Sequence, residues 1–465
     1  MTTPDPDIAE TRILVPAGAL GSGVSASEVE AGLAASPHAI ALDAGSTDSG
    51  PAYLATGKSK YSRQAVKRDL MILMTARAKA SVPLLIGSCG TSGCDDAVNW
   101  TLDIVREIAR EQDDRTRVAL LYSEQDKAVL KAKAAAGATR PLAPAGPLDA
   151  AMIEGCDHIV ALLGPEPYMA ALEQGADIVL GGRTTDTAVL AAAALLRGAD
   201  AGAAWHAAKI AECGGLCTEN PTSPGVMMSV DGAGFTIAPL SPANRCTPYT
   251  VSAHMLYENS DPFRLVEPGG VLDVRAARYA ALDERRVRVT GSRFEPAPYT
   301  MKLEGAGRGP FQTIMLVGIA DPAVLADVDG FVGRLHHALV QRLKRALGAE
   351  AAGVHVSLRP YGWNAVLGRT PADAPPPPEI GLMFVATAPT QALATEAAKV
   401  CNPWFFHFPV REGKELPSYA FPFSPAEIER GQVYEFRLNH VVETASPFEL
   451  VRTRWVDLAE EPVHA

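Results

Sequence analysis

The feature that most constrains this chain is a regular alternation of short apolar runs and longer helical stretches over its first 265 residues. "RILVPAG" (12–18), "AIALDAG" (39–45) and "VPLLIGSCG" (82–90) begin the series, and "RVALLYSE" (117–124), "HIVALLG" (158–164) and "ADIVLGG" (176–182) continue it. Between them, "SASEVEAGLAAS", "SRQAVKRDLMILMTARAKA" and "AVNWTLDIVREIAREQ" read as helices, the first opened by a serine cap. Near-continuous Val, Ile and Leu suit strands buried on both faces, as in a parallel sheet covered by helices. The alternation predicts a doubly wound, mostly parallel α/β sheet.

After residue 265 the texture changes. "PGGVLDV" is a Pro/Gly junction, and "YTMKLEGAG" and "FQTIMLVGIAD" read as two strands joined by a glycine-rich turn. A helix from Ala323 to about Leu347, the strand "GVHVSLRP", the proline-rich loop "PADAPPPPE" (371–379) and the strand "IGLMFVATA" come next. A helix from Gln391 and the closing strand "GQVYEFRLNHVVE" complete a second, smaller α+β domain of ferredoxin-like kind. The expected division is therefore an α/β ligand-binding domain over 1–265 and an α+β domain over 266–465. No internal repeat of fixed period is present.

A formal net charge of -11 argues against a nucleic-acid partner, although a local arginine can still hold a small anion. The amino-terminal stretch has neither the basic nor the apolar region of a signal peptide. The alanine-rich stretch 188–204 is broken by Arg197 and Asp200, so no membrane span is expected. Seven cysteines do not read as a disulfide framework, and the reading is a reduced, cytoplasmic protein.

The chemistry is expected at three loops that each leave a strand for a helix. "ALDAGSTDSGP" (41–51) offers Asp43, Gly45, Ser46, Thr47, Asp48 and Ser49. "IGSCGTSGCDD" (86–96) offers Gly87, Ser88, Cys89 and Thr91, and "LGGRTTDTA" (180–188) offers Arg183, Thr184, Thr185 and Asp186. In an open parallel sheet the carboxyl ends of the strands share one edge, so these loops should converge on one cleft. Helix N-termini there favour an anion, and Arg183 is expected to clasp a carboxylate or phosphate in bidentate fashion. Taken singly, each loop is equally well an ordinary turn with a helix cap. No loop carries the G-x-x-x-x-G-K-[ST] or G-x-G-x-x-G pattern in the required context, so neither ATP nor NAD, nor any other cofactor, is expected.

Cys89 with Cys94, and Cys213 with Cys217, lack a second pair at zinc-ligand spacing and read as buried free thiols, so no metal is expected from them. His254 and Glu258 stand four apart, on one face if helical. That pair is either a surface contact, a divalent-metal pair or an acid–base couple.

The motifs "LDAGSTDSGP", "IGSCGTSGCD", "ADIVLGGRTTDTAVLA", "AECGG" and "AHMLYENSDPF", in this order, resemble a distant branch of the AtuA family of bacterial acyclic terpene utilization proteins. The resemblance runs over nearly the whole chain. It implies a soluble protein encoded beside the breakdown of branched or unsaturated acids and their acyl-CoA derivatives.

The first functional expectation is a cofactor-independent lyase of hydratase or dehydratase type, acting on a small carboxylic acid or acyl-CoA. The three loops and Arg183 would cradle the anion, and Asp43, Asp48, Asp186 and His254 would transfer protons. The second is a non-catalytic binding or structural subunit of a catabolic complex, and the third a metal-dependent hydrolase resting on His254 and Glu258. A homo-oligomer is expected, with no nucleic-acid or membrane partner.

Overall fold

The computed structural model describes residues 10–370, 374–410, 413 and 416–459. The first residues of the proline-rich loop and of the amino-terminal stretch lie outside them. In chain order the strands are β1 (Thr11–Val15), β2 (Ala39–Asp43), β3 (Leu84–Gly87), β4 (Arg117–Tyr122), β5 (Thr139–Pro141), β6 (His158–Ala161), β7 (Ile178–Gly181), β8 (Val226–Val230) and β9 (Phe235–Pro239). Next come β10 (Arg264–Glu267), β11 (Gly270–Asp273), β12 (Arg278–Ala281), β13 (Val287–Thr290), β14 (Arg293–Pro296) and β15 (Thr300–Ile319). The last are β16 (His355–Tyr361), β17 (Ile380–Ala388), β18 (Tyr419–Ala420), β19 (Ile428–Glu443) and β20 (Arg452–Asp457).

Contacts divide the chain into one compact unit of residues 1–307 with 436–465, and another of 308–435. The change of texture near residue 265 therefore falls inside the first unit, which keeps all the strands from β10 to β14. β10, β11 and β14 form a three-stranded sheet, and β12 and β13 extend the edge of the main sheet.

The main sheet of the first unit has the order β12-β13-β9-β8-β1-β2-β3-β7-β4-β20. Its centre, β1-β2-β3-β7-β4, is parallel, while β8, β9, β13 and β12 on one side and β20 on the other run antiparallel. The expected mostly parallel, doubly wound sheet is thus a mixed one. The run "HIVALLG" is the other departure: β6 leaves this sheet and pairs antiparallel with the first part of β15. An apolar run of that length fixes a buried strand but not its neighbour.

Two-sided burial follows the two-residue period of the strands. Leu42 and Ile86 share one core with Leu70 and Leu73 of helix Arg63–Ala80 and Val98 and Leu102 of helix Asp95–Gln112. Their neighbours Ala41 and Leu85 share the opposite core with Ala188 to Ala194 of helix Asp186–Leu196. β15 is one continuous strand rather than two joined by a turn. A Cβ on Gly305 would stand 2.8 Å from the Cys156 sulfur, and one on Gly307 2.1 Å from the Gly155 carbonyl oxygen. These glycines admit close neighbours instead of reversing the chain.

In the second unit, the later part of β15, helix Val328–Leu347, β16, β17, helix Gln391–His407 and β19 succeed one another in β-α-β-β-α-β order. Their sheet runs β16-β17-β15-β19, with β17 antiparallel to both β15 and β16. Counting its own strands, that is the 2-3-1-4 arrangement of the ferredoxin-like motif.

Candidate functional site

β2, β3 and β7 end at one edge of the sheet, and the loops that leave them are stitched together by backbone hydrogen bonds. Ala44 N–H donates to Gly87 O (2.8 Å), Ser88 N–H to Gly182 O (3.0 Å) and Arg183 N–H to Gly93 O (3.1 Å). Local chemistry sets each loop. Ser46 Oγ accepts from Asp48 N–H, and Thr185 Oγ1 accepts from Ala188 N–H at 3.2 Å to cap helix Asp186–Leu196. Thr91 has φ of 78°, costly for a β-branched residue, and is held there while its hydroxyl accepts from Lys60 N–H at 3.0 Å.

Arg183 is the centre of this assembly and is buried. Its Nε donates to Glu304 (3.1 Å) and its Nη1 to Ser88 Oγ (3.0 Å), Thr184 O (3.0 Å) and Asp186 Oδ1 (3.3 Å). Glu304 also accepts from Lys302 Nζ (2.7 Å) and the Thr47 hydroxyl (2.8 Å). Burial alone raises the Glu304 carboxyl, but Arg183 and then Lys302 outweigh it and hold the group at about 2. The guanidinium expected to clasp a ligand thus spends its Nε and Nη1 donors on the protein itself.

The expected residues separate by depth. Asp43 is buried; its Oδ2 accepts from Gly45 N–H (2.7 Å) while its Oδ1 is buried with no hydrogen-bond partner. Burial, then the charge of Asp186, pushes this carboxyl well above the ordinary aspartate range, against Arg183. Thr47, Gly87, Ser88, Cys89, Thr91 and Thr184 are likewise packed in the interior. Gly45 and Ser46 are partly exposed, and Asp48 and Ser49 are exposed.

A cavity of about 860 Å³ opens in the first unit, and of the expected residues Asp48, Arg183, Thr185 and Asp186 line it. The rest of its wall holds charges that the loop reading missed, among them Arg140, Lys209, Glu212, Arg264, Glu267 and Lys302. Burial pushes Glu212 up to about 8 against the opposing Lys209, to which it is paired. Burial likewise pushes Glu267 up to about 7, although the Thr187 hydroxyl donates to it at 2.9 Å. Asp186 is raised by burial as well, against Arg183. A signal existed for some of these: "HAAKIAECGG" places one charge in an alanine-rich helix and another just after it, and "MKLEG" places two in an apolar strand.

The His254–Glu258 pair does not form as the spacing implied. The helix stops at Ala253, a 3-10 turn covers 254–256, and Glu258 has φ of 56°, so the two share no helical face. His254 is 5% exposed, its Nε2 lacks a hydrogen-bond partner, and its ring stacks on Tyr257 at 5.6 Å. Burial, then the charge of Lys209, pushes it down to about 4, so it is a neutral imidazole at pH 7 and a poor proton donor there.

All seven cysteines are free. Among the described residues two donor groups stand close enough to hold a cation: Glu212, Cys213 and His254, and Cys94, Glu124 and His158. In the second group Glu124 is already engaged, with Oε1 on His158 Nδ1 (2.6 Å) and Oε2 accepting from Asp95 N–H (2.8 Å).

No described helix is long and apolar enough to cross a membrane. No curated protein and no solved structure matches the chain. The family model described as "Acyclic terpene utilisation family protein AtuA" matches residues 55–410, and with more than half of its length so covered the chain belongs to the AtuA family.

Proposed function

We propose that this AtuA-family protein is a catabolic enzyme of lyase type, which adds water to, or removes it from, a carbon–carbon bond next to the carbonyl of a carboxylic acid or acyl-CoA. The observation that carries the reading is the wall of the cavity. Glu267, at about 7, is poised both to accept and to donate a proton near neutral pH, and Asp186 stands on the same wall. Arg140 lines the same cavity and has no ion-pair partner among the described residues, which leaves its charge for an anionic substrate group. In the dehydration direction one carboxylate takes the proton α to the carbonyl and a protonated carboxyl delivers a proton to the leaving hydroxyl, so one water departs.

The test is a panel of hydroxy and unsaturated carboxylic acids and their CoA thioesters, read by mass spectrometry for the gain or loss of one water. Glu267→Gln keeps the shape and removes the titrating oxygen, and turnover on the substrate so found should fall by about 10²–10⁴ while the variant melts no lower than the native protein. A ligand that raises the melting temperature without turnover, and without exchange of its α-proton, would support the alternative of a binding subunit.

A further inference from the structure

We infer that Glu212, Cys213 and His254 form a binding site for a zinc-class divalent ion, at a place where the spacing of His254 and Glu258 had suggested a different pair. Each residue brings one donor atom, and the three atoms lie within 4.8 Å of one another. Donors at the corners of such a triangle stand at most about 2.8 Å from its centre, against about 2.0–2.3 Å for bonds from zinc to sulfur, nitrogen and oxygen. Side-chain shifts of well under about an ångström therefore complete the coordination.

Three features mark the place as built for a cation. His254 is 95% buried by its 5% exposure, and its Nε2 has no hydrogen-bond partner, which is costly unless something takes the lone pair. Glu212 and Cys213 directly follow helix Ala201–Ala211, whose carboxyl end carries the negative pole of the helix dipole. The carboxyls of Asp186, Glu258 and Glu267 act on Glu212 or Cys213, while Lys209 is the ammonium paired with Glu212. A thiolate, an imidazole and a carboxylate select zinc and its first-row neighbours over magnesium or calcium. Three protein donors leave a fourth position open, and one of the three, Glu212, also lines the cavity. The inference does not rest on the hydration reading, because the ion is measured with no substrate present.

The experiment uses the full chain, stripped with a chelator and titrated with Co²⁺ and then Zn²⁺. About one ion per chain should bind, with a thiolate-to-cobalt charge-transfer band and the visible bands of four-coordinate cobalt. Cys213→Ser should abolish the charge-transfer band, and His254→Gln should weaken binding by at least about tenfold, both with unaltered melting of the metal-free protein. Cys94→Ser, which alters the other donor group, should leave the spectrum unchanged. Absence of stoichiometric binding, or a band that survives Cys213→Ser and disappears in Cys94→Ser, overturns the assignment. Should Cys213→Ser or His254→Gln fail to fold, Glu212→Gln read by calorimetry takes their place, and unchanged zinc affinity there overturns it equally.

Discussion

Replacing Glu304 by glutamine tests whether the buried charge network holds the first unit together. The amide of Glu304→Gln is close to the protonated form of the native side chain, so the loss should equal the free energy that ionisation of Glu304 contributes to folding. A glutamate carried from an ordinary 4.5 to about 2 corresponds to roughly 3 kcal/mol. Removing one partner of a buried ion pair costs about 3–5 kcal/mol, which agrees. The folded value is depressed, so the stabilisation is complete above the unfolded value near 4.5 and fades as pH falls towards 2. Urea unfolding of Glu304→Gln at pH 7 should therefore give a stability about 3 kcal/mol below the native protein, and the gap should shrink to about 1–1.5 kcal/mol at pH 3. Because the two compact units need not unfold together, hydrogen exchange of helix Asp186–Leu196, which starts three residues after Arg183, assigns the transition to the first unit. Equal stabilities at pH 7, or a gap that stays constant down to pH 3, would refute the reasoning.

Two further expectations come from the same network. Arg183→Lys keeps the charge but cannot reproduce hydrogen bonds from both Nε and Nη1, so it should destabilise the fold by about 1.5–3 kcal/mol, the scale of a lost charge-assisted hydrogen bond, seen as a lower urea midpoint; an unchanged midpoint would show that these bonds contribute little. Asp43 has a raised folded value, so its ionisation costs stability increasingly as pH rises above the ordinary 3.8; Asp43→Asn should be as stable as the native protein at pH 4 and more stable at pH 8 in paired melts, and a variant less stable at pH 8 would mean that the charged form is the native one.

Much of the secondary structure was legible because the rules that set it are local. Ser25 and Ser62 cap their helices by accepting from nearby backbone N–H groups, and the closing strand and the helix from Gln391 stand where their patterns placed them. Local pattern failed where a residue's meaning depended on a distant neighbour. The glycines of β15 looked like a turn until the Gly155 carbonyl and Cys156 were packed against them. His254 and Glu258 looked like one helical face until the helix ended just before them, at Ala253.

The sequence by itself determined the βα rhythm, the strand-end loops and the absence of nucleotide-phosphate motifs, since periodicity, caps and turn residues act over a few positions. Only the tertiary structure decided which strands pair and which charges are buried together. Arg183 meets Glu304 across 121 residues, and Thr47 meets the same carboxyl across 257. A carboxyl in the sequence looks the same whether it ends at about 2 beside a guanidinium or at about 7 in a cavity wall. Desolvation and partner charge separate the two, and both exist only once the chain has folded.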